Sequence, residues 1–453
     1  MSIFSYIKSE IKEQYLENDG NKPWIVAFSG GKDSTILLQL VWEVIISLDT
    51  AERKRKLYVI CNNTLVENPT ILDYVENVLV KIQKKSDELD LNITVDQTVP
   101  HVQDSFWVNL IGKGYPAPNN AFRWCTERLK IRPTTKYILN KVSDYGEVIL
   151  LLGTRKDESS SRKKSIEKNE VKNSRLSNHQ IANAKSFSPI KDLKTKEVWQ
   201  YLLVNKSPWD ANNKKLVNLY NNASGGDCPL ITDIKTPSCG NSRFGCWVCT
   251  VVSKDKSMEG LIDYGEDWML PLLKIRDFLS HTIDRDSDNY QEIANKYRMP
   301  VRRSGLNGIL DGKNIGPYWP WVRAKILKQI LEAQKIINVD NSDQQLITYQ
   351  ELAAIHITWQ RDFIFDFSVS EIYNEVFNKK IAFKENDNSE FDTLVNVFGK
   401  DTKQFNLVKN LLKAQKNKVL LVNKRGLQND IESLLDEYVN PKFSNVYKEN
   451  RDK

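Results

Sequence analysis

The residues most able to do chemistry lie in the run Trp24-Ile-Val-Ala-Phe-Ser-Gly-Gly-Lys-Asp-Ser-Thr35, where an apolar strand ends in a glycine turn that opens onto a helix. Gly30 and Gly31 lack Cβ atoms, so the backbone can turn sharply and aim several N–H groups at one anion, reinforced by the positive end of the helix dipole. Lys32 adds a full charge. Ser29, Ser34 and Thr35 offer hydroxyl donors to the remaining phosphate oxygens, and Asp33 is placed to hold a magnesium ion against them. The ligand this set suits is ATP. A Walker A loop is excluded by spacing, because it needs four residues between its first glycine and its Gly-Lys pair, and here Gly31 and Lys32 follow Gly30 at once. A glycine turn that merely packs a strand on a helix explains neither the lysine nor the hydroxyls.

Four of the six cysteines form a second constellation. Cys228, Cys239, Cys246 and Cys249 follow the pattern C-x10-C-x6-C-x2-C with no histidine nearby. Four soft sulfur donors select zinc or an iron–sulfur cluster over hard cations, and spacing leaves the choice between the two open. A further cysteine, Cys125, lies in Arg123-Trp-Cys-Thr-Glu-Arg-Leu-Lys-Ile-Arg-Pro133, among Arg123, Arg128, Lys130 and Arg132. That setting is expected to favour its thiolate and to attract anions; the plainer reading is a solvated basic helix with one half-buried thiol. Gly153-Thr-Arg-Lys-Asp-Glu-Ser-Ser-Ser-Arg162 follows an apolar run directly, so Arg155 and Arg162 should emerge at the carboxyl edge of a sheet. Arg298, Arg302, Arg303, Lys313, Tyr318, Trp319, Trp321, Arg323 and Lys325 mix cations with aromatic rings, as nucleic-acid surfaces do; Arg302 and Arg303 are expected to touch nucleic acid, while Trp319 and Trp321 suit a core better. His101, His179, His281 and His356 are scattered and suggest no catalytic role.

Elements that alternate in type must position these groups. Residues 36–47 are apolar on nearly every face, as in a helix buried against a sheet. Residues 56–61, 91–98 and 147–152 read as strands, and 69–84 and 196–204 as helices. The alternation predicts a doubly wound, mainly parallel α/β domain over residues 1–206, with ligands at the carboxyl ends of its strands. A cysteine-rich metal-binding unit is expected over 207–260 and a mainly helical region over 261–453. Residues 162–178 carry few apolar side chains and read as a mobile loop. With 453 residues and 40% hydrophobic content the chain can bury a large core, which excludes disorder as its main state. Its 65 basic and 58 acidic residues give +7, a field that permits a nucleic-acid partner without requiring one. No apolar run approaches a membrane span, and the cysteines do not form a secreted disulfide framework; a soluble, cytoplasmic protein with no membrane partner is expected.

Three motifs in order, Ser29-Gly-Gly-Lys-Asp-Ser34, then Cys125-Thr-x-Arg-Leu-Lys-x-x-Pro133, then Gly153-x-Arg-x-x-Glu-Ser159, resemble the phosphoadenylylsulfate reductase and ATP pyrophosphatase superfamily. That resemblance implies adenylation with pyrophosphate as leaving group. The superfamily usually carries Asp-Thr after its second strand; here Asn63-Thr64 stands instead, followed by Glu67, so nucleotide contacts at Asn63 and Glu67 come without the usual charge. Arg243-Phe-Gly-Cys-Trp-Val-Cys-Thr250, preceded by Gly226-Asp-Cys-Pro229, is similar to the cysteine region of the DndC-type sulfurtransferases of bacterial DNA phosphorothioation, a restriction–modification chemistry. In that family the four cysteines are expected to carry a [4Fe–4S] cluster.

The resemblance implies an enzyme that adenylates a DNA backbone phosphate with ATP and magnesium so that sulfur replaces a non-bridging oxygen. Lys32, Arg128 and Arg155 would stabilise transition-state charge, and Cys125 or the cluster would carry sulfur delivered by a cysteine desulfurase within a complex of further phosphorothioation proteins. Three other readings share parts of this pattern: an assimilatory sulfonucleotide reductase, a transfer-RNA thiolase, and a non-catalytic nucleotide-binding scaffold of a DNA-modification complex.

Overall fold

The apolar runs become the middle of a six-stranded sheet. In the computed structural model, residues 2–17, 21–222, 245–284, 289–300, 315–340 and 344–419 are described, apart from 121, 172, 173, 363, 365, 380, 382–388 and 401, together with scattered positions between 431 and 438. Cys228, Cys239, Arg302, Arg303 and Lys313 lie outside the described residues. The elements run α1 (Ile3–Leu16), β1 (Trp24–Ala27), α2 (Lys32–Ser47), β2 (Leu57–Asn62), α3 (Pro69–Glu88), β3 (Ile93–Thr98), α4 (Arg132–Tyr145), β4 (Val148–Leu151), α5 (Ser160–Asn169), β5 (Leu176–Asn178), β6 (Ala184–Phe187), α6 (Thr195–Val204), α7 (Asn213–Asn222), α8 (Lys256–Asp263) and α9 (Leu270–His281). The sheet order is β3-β2-β1-β4-β6-β5, parallel throughout except for β5, which pairs antiparallel with β6.

Both faces of this sheet are covered, as parallel sheets require. Trp24, Val26, Leu57, Val59, Ile149 and Leu151 face the larger core with α1, α2, α3, α6 and α7, while Ile25, Tyr58, Ile60, Val148 and Leu150 pack beneath Ile138 of α4. The chain builds outward from β1 to β3 on one side and then returns to place β4 on the other. The carboxyl ends of β1 and β4 therefore flank a topological switch point, the crevice where open α/β sheets bind ligands.

Local signals explain the helix starts. Asn68 caps α3 by accepting from the Thr70 N–H at 3.1 Å, with Pro69 pre-set for the first turn. Residues 162–178 correct the expected loop: Ser159 caps α5 by accepting from the Arg162 N–H at 3.2 Å, and β5 adds an edge strand. The segment was misread because a solvated capped helix needs no buried face.

The chain divides into two compact units, one of Met1–Phe106, Ala117–Asp286 and Glu332–Ile347, the other of Trp107–Pro116, Ser287–Leu331 and Thr348–Lys453. These divisions differ from boundaries at 206 and 260, because the segment around Cys246 hydrogen-bonds to the α/β core. The remaining elements are α10 (Tyr290–Tyr297), β7 (Arg298–Pro300), β8 (Ile315–Tyr318), α11 (Pro320–Asp340), α12 (Tyr349–Arg361), α13 (Val369–Phe377), α14 (Ser389–Phe398) and α15 (Lys403–Val419). In the second unit Arg323 is buried and donates to the carbonyls of Tyr318 at 2.9 Å and Gly112 at 3.1 Å, and Arg298 is 2% exposed. These two cations belong to the interior, which corrects their expected place on a nucleic-acid surface. Among the described residues no helix is long and apolar enough to cross a membrane.

Candidate nucleotide and thiol site

The loop after β1 closes on itself. Ser34 Oγ accepts from the Ser29 N–H at 3.2 Å and donates to the Gly31 carbonyl at 3.0 Å, while the Thr35 N–H bonds to the same carbonyl at 3.0 Å. Gly30 has φ +72°, and a Cβ there would stand 2.4 Å from Val75 Cγ2, so only glycine fits. The loop after β4 arrives from the other side of the switch point. A Cβ on Gly153 would be 3.0 Å from the Asp33 carbonyl oxygen, an approach that keeps the two loops in backbone contact.

Asp33 is held between two cations, with Arg155 Nε 2.7 Å from Oδ1 and Lys32 Nζ 3.1 Å from Oδ2. Each oxygen keeps a further lone pair, so the carboxylate fits a magnesium ion bound chiefly through phosphate oxygens. Arg155, expected to stabilise transition-state charge, is 1% exposed, and its guanidinium also reaches Asp157, the Leu193 carbonyl at 3.0 Å and Thr195 Oγ1 at 3.2 Å. Its role is corrected to that of a positioning residue. Thr35 is 2% exposed and its hydroxyl is buried without a hydrogen-bond partner among the described residues. Burial tends to raise the Asp157 carboxyl, but hydrogen bonds from the Thr195 N–H and Oγ1 together with Arg155 hold it below its ordinary value.

The strand beside β1 carries the second half of the site. After β2, Asn63 Oδ1 accepts from the Leu65 N–H at 2.8 Å and so shapes a turn in which Leu65 has φ +64°. The Cys246 segment docks on this turn through Trp247 N–H to Val66 O at 3.0 Å and Asn68 N–H to Gly245 O at 3.3 Å. Trp247 and Val248, each 2% exposed, anchor the Cys-x-x-Cys turn in the interior. Arg276 of α9 fastens its exit by donating to the carbonyls of Cys249 at 3.1 Å and Ser253 at 2.9 Å.

Cys125 joins this corner as an electrostatic neighbour of Cys246 and Cys249. It heads a π-helical turn, Thr126–Ile131, that brings Lys130 to the same place. Burial pushes the Cys246 thiol up to about 12, Glu67 adds to the rise, and Lys130 opposes it. Burial likewise raises the Cys125 thiol, which corrects the expectation that basic neighbours would favour its thiolate. The reason is that Arg128 Nη1 pairs with Asp104 at 2.8 Å and Arg132 with the same carboxylate at 3.2 Å, so those charges are answered locally. Lys130, by contrast, is held cationic by Cys246, then Glu67, Cys125 and Cys249, against the effect of burial. Thr64 Oγ1 lies 3.3 Å from Cys246 Sγ and donates to Glu67 at 2.9 Å.

Among the described residues no group of three or more thiol, imidazole or carboxylate side chains is arranged to hold a metal ion. The Cys246 and Cys249 pair nevertheless fits one half of a four-thiolate set, being two soft donors on one turn with a cation nearby. The sequence places Lys130 among the cations around Cys125, but it gives no role to Thr64, Asp157 or Arg276.

The sequence profile of the phosphoadenosine phosphosulfate reductase domain matches residues 23–252, about half of the chain and all of the site just described except Ser253 and Arg276. The chain belongs to this family. It is 30% identical over 230 residues to an uncharacterized protein of Methanocaldococcus jannaschii, an alignment that takes in 50% of this chain and 36% of that one. The chain thus spans about a third of the length of that curated relative. A crystal structure of phosphoadenylyl-sulfate reductase from Candida auris, in complex with phosphate, aligns over 46% of this chain and 87% of its own at 11% identity, with a TM-score of 0.29. At that score the likeness adds nothing to the fold described above.

Proposed function

We propose that this chain is an ATP-dependent sulfurtransferase that activates a DNA backbone phosphate and installs sulfur in place of a non-bridging oxygen. One observation carries the reading. A phosphate loop and a thiol corner with its own half-buried lysine end two neighbouring parallel strands, with the Phe28 N–H bonded to the Ile60 carbonyl at 2.8 Å between them. A family fold used only to bind nucleotide has no need for thiols beside the loop.

The phosphodiester oxygen attacks the α-phosphorus of ATP and pyrophosphate leaves. A second thiol reduces the donor's persulfide and becomes part of a disulfide; the hydrosulfide so released attacks the activated DNA phosphorus, and AMP departs with the oxygen. The Gly30-Gly31-Lys32 backbone and the Lys32 ammonium would bind phosphate oxygens of ATP, and Asp33, oriented by Arg155, would hold magnesium, which supplies charge neutralisation for the leaving pyrophosphate. Cys125 lies beside Lys130, whose charge opposes but does not reverse the rise that burial gives its thiol. Cys246 and Cys249, with Cys228 and Cys239, would hold an iron–sulfur cluster, which supplies bound sulfide and one-electron chemistry. Zinc is the alternative for the same thiols.

The test is an anaerobic incubation of the chain with a cysteine desulfurase, cysteine, magnesium ATP and duplex DNA, followed by digestion and mass spectrometry of the dinucleotides. DNA-stimulated pyrophosphate release together with phosphorothioate linkages, both lost in Lys32→Ala, is the expected result. Sulfite released from adenylylsulfate without DNA, or thiolated nucleosides in RNA, would replace DNA as the acceptor.

A further inference from the structure

The carboxyl-terminal end of α7 reaches into the phosphate loop. Tyr220 is 7% exposed, and its ring stands edge-on to Trp199 with centroids 5.0 Å apart. Its hydroxyl oxygen accepts from the Lys32 N–H at 3.4 Å, and a Cβ on Gly31 would come within 3.2 Å of it. Lys32 Nζ lies 5.5 Å from the centroid of the same ring. The Lys32 N–H is one of the donors a bound phosphate uses, and here it serves a phenol. A 3.4 Å bond to a neutral oxygen is weak, whereas a phosphate oxygen makes a shorter, charge-assisted bond to the same group.

We propose that Tyr220 keeps a place in the phosphate loop and yields it to the incoming phosphates, so that its hydroxyl competes with the ligand and sets the affinity for pyrophosphate-bearing molecules. The inference rests on the phosphate-loop reading of the proposed function and adds a residue to it. Tyr220 stands 188 positions beyond Lys32 in the chain, in a helix whose sequence offers no chemical motif. Gly31 acquires a second reason for being glycine, since a methyl there would press on the hydroxyl as well as on the anion. A competitor differs from an ordinary binding contact in sign. Removing a contact weakens binding, while removing a competitor strengthens it.

The experiment is calorimetric titration of magnesium pyrophosphate and magnesium ATP into the full chain, Tyr220→Phe, Lys32→Ala and the Tyr220→Phe, Lys32→Ala double variant. Tyr220→Phe keeps the ring against Trp199 and removes only the oxygen, so thermal unfolding should change little. Its expected affinity for pyrophosphate is about three- to tenfold tighter than that of the parent chain, the range of one exchanged hydrogen bond. A simple loss of packing would not tighten binding. Unchanged or weaker binding in Tyr220→Phe, with Lys32→Ala still abolishing it, overturns this proposal and leaves the phosphate loop standing. Binding that persists at parental strength in Lys32→Ala, or absence of binding to both the parent chain and Tyr220→Phe, overturns the two together.

Discussion

The phosphate loop and the thiol corner end adjacent strands, yet they are assembled in opposite ways. The loop takes its donors from residues 29–34 and is closed by bonds within that stretch, chiefly through Ser34 and the Gly31 carbonyl. The corner is put together from the turn at 63–68, the π-helical turn after Cys125, the Cys246 segment and Arg276 of α9. A contiguous site depends on local geometry and on the fixed start of one helix. A dispersed site depends on the packing that brings four segments to one place, so mutations far from its sulfur atoms should reach it.

The sharpest way to break this comparison is Trp247→Ala. Emptying a site that is 2% exposed should destabilise the α/β unit by about 3–5 kcal/mol in urea unfolding. It should also reduce the iron or zinc retained per chain while leaving pyrophosphate affinity within about twofold, since the loop is closed by its own bonds among Ser29, Gly31 and Ser34. An equal loss of pyrophosphate binding would show the two regions to be one unit. Next in size is Arg155→Met, which leaves Asp33 and Asp157 without their shared cation. The expected cost is about 3 kcal/mol, with weaker binding of magnesium ATP than of free pyrophosphate and no change in metal content. Metal loss in this variant would contradict the separation.

The smallest effect concerns pH. The Asp157 carboxyl is depressed below its usual 3.8 in the folded chain, so its contribution to stability is present above that value and disappears as pH falls through the lowered folded value. Unfolding midpoints followed from pH 6 to pH 3 should fall more steeply for the parent chain than for Asp157→Asn, whose curve starts lower. Parallel curves would mean that the Thr195 contacts do not discriminate between the charged and neutral carboxyl.

This difference in construction also decides what could be read from the sequence. Ser29 to Ser34 suggested a phosphate site because the candidate donors are neighbours in the chain, and the strands at β1, β2 and β4 were legible as unbroken apolar runs. Thr64 and Arg276 were not, and Lys130 was legible only as one of several cations near Cys125, because their meaning lies in what tertiary contacts place next to them. Arg155 was found but misassigned, since nothing in its own segment reveals that Leu193, Thr195 and Asp157 close around it. The helix at Ser160–Asn169 was missed because its stability comes from a cap and solvated charges rather than from a buried stripe. The same logic misdirected the basic and aromatic stretch, where Arg298 and Arg323 are interior residues.

The two residues between Cys246 and Cys249 have a consequence for the life of the protein in air. Trp247 and Val248 are held by the core, so the spacing of the two sulfurs is a property of the folded chain and not of whatever they bind. Oxidative loss of an inorganic centre would then strip the site without unravelling the turn that carries it. Repair becomes a matter of resupply to a standing scaffold, at a rate set by the donor's concentration rather than by refolding.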